Sequence, residues 1–259
     1  MGHQRLKSIP RSREWEHVVE LLGDGGAAAE IAGASADAIN RDLKSAAKDP
    51  ALTEVAFLLA TIPGAAREKD AAQALRDLGI AAGPKFTLLQ LVSAIDRAVD
   101  RQARGSITRT DLGELAGLAA ASSLTNALSP DLPTLFGTTS ADLQAALTKL
   151  DSPARFGKLA RTFFADLTQR SLEYYLSRAY ARFVGPGETF ASLAEQIAFR
   201  DALREHCYES AVILEQYAAE WFSKSKYEGG ITRDNAQVFA RTALQKLRRE
   251  LSIRSGSDA

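Results

Sequence analysis

SPARFGKLARTFFADLTQRSLEYYLSRAYARFVGPG, residues 152–187, decides the fold. Ser152-Pro153 opens a helix, because serine can cap it and proline suits the first helical position, where no N–H is needed. No breaker follows until Gly185-Pro186-Gly187. The spacing predicts one helix of about 30 residues and about 45 Å, at roughly 1.5 Å of rise per residue. After the Gly-Pro-Gly turn another long helix is expected from about Phe190 to Phe222, so the two form a long antiparallel hairpin.

The apolar stripe of each arm changes side part-way. At about 100° per residue, Phe156, Leu159, Phe163, Leu167 and Tyr174 share one face, while Leu172, Tyr175, Ala179 and Phe183 centre well over 100° away. In the other arm Phe190, Leu193 and Ile197 give way to a displaced stripe of Leu203, Cys207, Ser210, Leu214, Tyr217 and Trp221. A helix whose buried side moves either bends or meets different partners along its length. The hairpin is therefore expected to pack partly on the preceding helices and partly on the last helix or another protein chain, with Tyr175 and Phe183 as candidate contacts.

Working outward, strand signals are nearly absent and alanine and leucine dominate, so the fold class is all-α. Ser12 can cap a first helix carrying Trp15, Val18, Val19 and Leu22, which Gly23, Gly25 and Gly26 end. An alanine-rich helix is expected from about Ala27 to Ala47, with side chains small enough for close packing, stopping before Asp49-Pro50. A third helix is expected to be interrupted at Pro63-Gly64, and a short one to close at Gly79. Helices at about 86–101 and 111–128 follow, then a Ser129-Pro130-Asp131-Leu132-Pro133 loop and a short helix at 140–150. Thr232 is the cap expected for a last helix ending near Ile253. These spacings suggest an Ala/Leu-rich helical subdomain at 1–150, followed by the hairpin and a C-terminal basic helix at 151–259, with the boundary between about 129 and 152. No internal repeat of fixed period is present, which argues against a solenoid.

Composition narrows function. The chain has 259 residues, 46% hydrophobic and 25% charged, enough apolar material to fold without a metal or disulfide. Cys207 is the only cysteine, so no intramolecular disulfide can form and nothing points to an oxidising compartment. No apolar run reaches a membrane span and no signal segment is read at the start, so a cytoplasmic location and no membrane partner are expected. Lys plus Arg equal Asp plus Glu at 32 each, so binding to nucleic acid must come from local clustering.

Catalytic and metal motifs are missing or incomplete. His3, His17 and His206 with one cysteine are too few and too scattered for a zinc site, and Glu14 with His17 gives a di-iron Glu-x-x-His spacing only once. No metal or other cofactor is expected. Cys207 adjoins His206, but neighbours on a helix point about 100° apart, so they form no dyad and read as a buried thiol beside a core-edge histidine. Gly23-Asp24-Gly25-Gly26 lacks the ending of a phosphate-binding loop and reads as a helix terminator.

Two clusters suggest binding. In Trp221-Phe222-Ser223-Lys224-Ser225-Lys226-Tyr227-Glu228-Gly229-Gly230-Ile231, aromatics interleave with lysines, so Trp221, Lys224, Lys226 and Tyr227 could stack on bases and pair with phosphates. The alternative, and the preferred reading, is that the rings close one end of a helix bundle. In the last helix Arg241, Arg248 and Arg249 flank the apolar face of Ala240, Leu244, Leu247 and Leu251. Arg155, Lys158, Arg161, Arg170, Arg178 and Arg182 form a further basic series. Salt-bridged scaffold, with Glu195, Glu205, Glu209 and Glu220 as partners, is the preferred reading of both series.

The residues favour a non-catalytic helical interaction protein, an adaptor or regulatory subunit of a bacterial-type multi-protein assembly, with a protein partner or another copy of itself as ligand. The alternative is a protein that binds the phosphate backbone of nucleic acid through its C-terminal basic helices. A third reading, an enzyme using carboxylates or arginines in a pocket between helices, has no diagnostic motif.

Overall fold

The computed structural model describes residues 12–39, 49–80, 87–104, 111–133 and 137–255, which hold eleven α-helices and no strand. The central element is α8, Pro153–Tyr180, whose first turn is capped where the Arg155 amide donates to Ser152 Oγ at 3.4 Å. Its end is turned by residues 183–190: the Phe190 amide donates to the Phe183 carbonyl at 2.8 Å, and Gly187 takes φ +86. Only glycine reaches that φ without steric cost.

The other arm of the hairpin is two helices, α9 at Leu193–Ser210 and α10 at Val212–Tyr227, separated at Ala211. The two arms resolve their shifted stripes differently. Within one continuous helix, α8 changes partners: Phe156 meets Phe222, Trp221 and Phe239 at 4.6, 5.8 and 5.9 Å, whereas Tyr175 meets Trp15 at 5.9 Å. The α9–α10 arm breaks instead, which lets Leu203, Cys207 and Ser210 before the break and Leu214 after it all be buried.

Around this hairpin lie α1 (Arg13–Gly23), α2 (Ala28–Ala38), α3 (Pro50–Ala65), α4 (Ala71–Asp77), α5 (Leu88–Arg104), α6 (Asp111–Leu128) and α7 (Ser140–Lys149), with α11 (Arg233–Ser255) last. The alanine-rich α2 ends at Ala38, and residues 40–47 of the expected helix lie outside the described residues. Helix α3 runs through Pro63 to Ala65, because a proline in the last turn forfeits one backbone bond without stopping the helix. Asp49 caps α3, accepting from the Ala51 amide at 2.7 Å.

Close approach is achieved where side chains are absent. A Cβ on Gly157 would lie 2.4 Å from the Glu215 carbonyl oxygen, so the bare α8 backbone sits directly against the α10 backbone there. Gly33 plays the same part for α2 against α11, where a Cβ would meet Ser255 Oγ at 2.4 Å.

Helix α11 packs on α2, α3 and α10, and α6 packs on α8. The apolar cluster therefore runs from Trp15 to Leu251 and takes side chains from both sides of the 129–152 segment. Buried carboxylates tie these layers. Glu54, 3% exposed, is gripped by Arg233 through two bonds of 2.6 and 2.9 Å, and that guanidinium lies 4.3 Å over the Phe57 ring. Asp151, equally covered, receives both Arg67 and Lys226. Among the described residues no helix is long and apolar enough to cross a membrane.

Candidate functional site

Thr162, Asp166, Gln169, Arg170 and Glu173 recur at helical spacing on one side of α8 and leave that side polar. Helices α6 and α9 flank it. Tyr174 Oη donates to Asp111 Oδ2 at 2.9 Å near the start of α6, and Arg155 reaches Asp131 beyond its end, so α6 runs antiparallel to α8. Arg200 grips Glu173 and Arg161 approaches Glu209, so α9 is antiparallel to α8 as well. Between them opens a cleft of about 550 Å³, floored by α8, with Ser122 and Asn126 from α6 and Arg200, Arg204, Glu205 and Tyr208 from α9 as walls.

The cleft is lined by three arginines and three carboxylates, and its charges are largely answered within the chain. Arg170 Nε donates to Asp166 Oδ1 at 3.0 Å; Arg200 holds Glu173 through Nε and Nη2 at 3.1 and 2.9 Å; Gln169 adds a bond of 3.2 Å to Glu173. At the far end Arg161 stacks 4.0 Å over the Tyr208 ring. The other oxygen of Asp166, Oδ2, is covered and has no partner among the described residues.

The titration shifts of Arg200 in the cleft wall, and of the buried Tyr180 and Cys207 near Glu173, run away from neutrality. Hydrogen bonding to Glu173 raises Arg200. Burial raises the Tyr180 hydroxyl and pushes the Cys207 thiol up to about 12, the Glu173 charge adding to both. General acid–base or nucleophilic work at neutral pH calls for shifts in the opposite sense, towards 7.

The outer lip of α9 differs in character. Leu193, Ile197 and Tyr208 are 64%, 49% and 37% exposed, and Val212 and Ile213, just past the break, are 41% each. The sequence pattern groups Leu193 and Ile197 with Phe190 as one buried stripe, but only Phe190 is covered, beside Tyr180 and Phe199. The reason lies in the cap. Ser192 accepts from the Glu195 amide at 3.3 Å and Glu195 accepts in turn from the Ala191 amide at 2.8 Å, starting α9 after Phe190. The inward line of α9 then follows Leu203, Cys207 and Ser210, leaving Leu193 and Ile197 on the other side.

The residues singled out by sequence are dispersed. Trp221 is half-buried with its ring 4.1 Å from that of Phe239, Lys226 pairs with Asp151 and lies over Phe222, and Lys224 reaches Glu228 at 3.8 Å. Tyr227 stands in water, 92% exposed, and both lysines are exposed beside it. Arg248 pairs with Asp37 at 3.1 Å, while Arg241 and Arg249 are exposed. Tyr175 is wholly buried against Trp15, and Phe183 covers Gly23, so both rings pack within the chain. Of the glutamates named as ion partners, Glu209 meets Arg161. The polar series on α8 was the overlooked signal: five polar residues on one side of a helix otherwise read as core.

No family model matches the chain, and no curated protein and no solved structure is significantly similar to it.

Proposed function

We propose that the protein is a non-catalytic helical interaction subunit, an adaptor or regulatory component, whose docking surface is the lip of α9 at the mouth of the α6–α8–α9 cleft. The clustering of exposed apolar side chains carries this reading. Of ten large hydrophobic residues exposed among those described, five fall between Leu193 and Ile213. Scattered single residues need no explanation, but a run along one helix and its continuation marks a surface that gains by being covered. The internally paired charges of the cleft support a binding role over a chemical one.

Binding of nucleic acid through the C-terminal helices is favoured by one observation, the exposed Arg241 and Arg249 on α11. Two such residues give few phosphate contacts, and Trp221 is stacked inside the fold.

The test places a photo-crosslinking amino acid at position 197 or 208, and at exposed position 238 as control, in cells that make the protein. Discrete adducts from the first two and none from the third are expected. A strongly salt-dependent DNA or RNA complex that Arg241→Gln with Arg249→Gln abolishes, together with no adduct from 197 or 208, would reverse the choice.

A further inference from the structure

The α9 lip has an internal symmetry that names its occupant. Read from both ends towards the midpoint between Ala202 and Leu203, eight exposed residues of α9 and the first position of α10 form four pairs: Leu193 with Val212, Ile197 with Tyr208, Arg200 with Glu205, and Asp201 with Arg204. Each pair is apolar with apolar or base with acid. All eight residues are exposed. A two-fold axis through the midpoint sets residue n of one helix opposite residue 405 − n of an antiparallel copy.

We propose that the lip is occupied by a second copy of this chain, α9 against α9 in antiparallel alignment, which rests on the reading of α9 as a docking surface. Ile197 then lies against Tyr208 of the second copy, once on each side of the axis, with Leu193 at the outer end towards Val212, just past the Ala211 break. Charge selects the direction. A parallel pair would set Asp201 against its own counterpart and Arg204 likewise, placing like charges together; the antiparallel pair matches Asp201 with Arg204 twice.

The donors and acceptors needed are at hand. Arg204 uses Nη2 on Asp201 of its own helix at 3.2 Å, and Arg200 uses Nε and Nη2 on Glu173, so each guanidinium retains further N–H groups. Glu205 forms no ion pair among the described residues. The contact spans ~27 Å of helix, from the 18 residues of α9 at about 1.5 Å each. That is at the small end for a stable interface, so the dimer forms in a concentration-dependent way.

The purified full chain, followed by sedimentation or light scattering over a concentration series, should pass from one to two chain masses. Ile197→Glu should hold it at one mass with its helical spectrum unchanged. Asp201→Arg sets arginine against arginine across the axis and Arg204→Asp sets aspartate against aspartate, so each variant alone should dimerise at least tenfold more weakly. Mixing the two variants restores an acid–base match at both contacts and should restore the doubled mass. A wild-type mass that stays single at all concentrations overturns the second copy as occupant. The docking reading then survives if the position 197 crosslink yields an adduct of another mass, and fails with it if no adduct forms. A dimer indifferent to Ile197→Glu and to the charge exchange overturns the α9 pairing.

Discussion

On α10, Trp221 lies against Phe239 and half under its own bundle, Lys226 reaches the covered carboxylate of Asp151, and Lys224 reaches Glu228. One break earlier in the same arm, on α9, Leu193, Ile197 and Tyr208 face water. By composition the α10 region resembles a binding surface, whereas the α9 region resembles core. The contrast teaches that a side chain's chemistry states what it can bind, while its neighbours in the fold state whether that capacity is already used. Trp221, Phe222 and Lys226 find ring neighbours and a covered acid within the chain, while Tyr227 stays outside; an aliphatic pair displaced by a cap from its expected stripe is left over.

That contrast is broken most directly at Phe239. Its ring, 2% exposed, meets Trp221, Tyr217, Phe164 and Phe156. Phe239→Ala should cost about 3–5 kcal/mol in denaturant unfolding, as expected for a large ring removed from a packed core. A loss under about 1 kcal/mol would mean that the aromatic end is loosely packed and available for ligands.

Next in size is Arg233→Met, which strands the buried Glu54 carboxylate. Breaking a buried pair by deleting one partner costs about 3–5 kcal/mol, reduced here to about 2–3 because the Arg233 side chain is 46% exposed and water can enter beside it. Thermal and urea unfolding report it, and a double change with Glu54→Gln should recover part of the loss.

Cys207 and Tyr208 sharpen the comparison within α9 itself, being sequence neighbours of which one is buried and the other exposed. The native thiol should resist alkylation at neutral pH and react only at the rate of unfolding, whereas Tyr208 should be modified by surface reagents. Because burial raises the folded thiol from 9.0 to about 12, its neutral form is favoured in the fold. Its contribution to stability is full below the ordinary value and disappears as pH climbs through the folded one. Rapid labelling of the folded protein at neutral pH would show that α9 does not seat as described.

The smallest effect is expected at the lip. Leu193→Ser with Ile197→Ser, measured at a concentration where the chain is a single copy, should change unfolding free energy by no more than about 0.5 kcal/mol, as for surface positions that lack intramolecular partners. A cost comparable to that of Phe239→Ala would place these residues in the core and end the contrast.

Much of the architecture was legible beforehand. The caps at Ser12, Ser152 and Thr232 stand where expected, with the Trp15, Arg155 and Asn235 amides as donors. The Gly185-Pro186-Gly187 turn reverses the chain as expected, although α8 ends earlier, at Tyr180, and α6 spans Asp111–Leu128. Each of these depends on residues within one or two turns of each other. The break at Ala211 was not legible, since neither proline nor glycine marks it. The cleft was half-legible: its floor is written in the polar spacing of α8, but its walls come from helices about 40 residues away on either side.

Local chemistry in the sequence determined the all-α class, the start and stop of most helices, the turn of the hairpin, and the existence of two shifted apolar stripes. Capping, backbone torsion and helical periodicity act over a few residues, and a linear string records them completely. Only the tertiary structure decided which stripe was covered, which arginines met carboxylates, and which side of α9 was left in water. Those outcomes depend on contacts between residues far apart in sequence, such as Arg233 with Glu54 or Arg248 with Asp37, and on an orientation set by a cap. Burial is a property of the packed whole, so an aliphatic residue acquires a surface role when no other helix arrives to cover it.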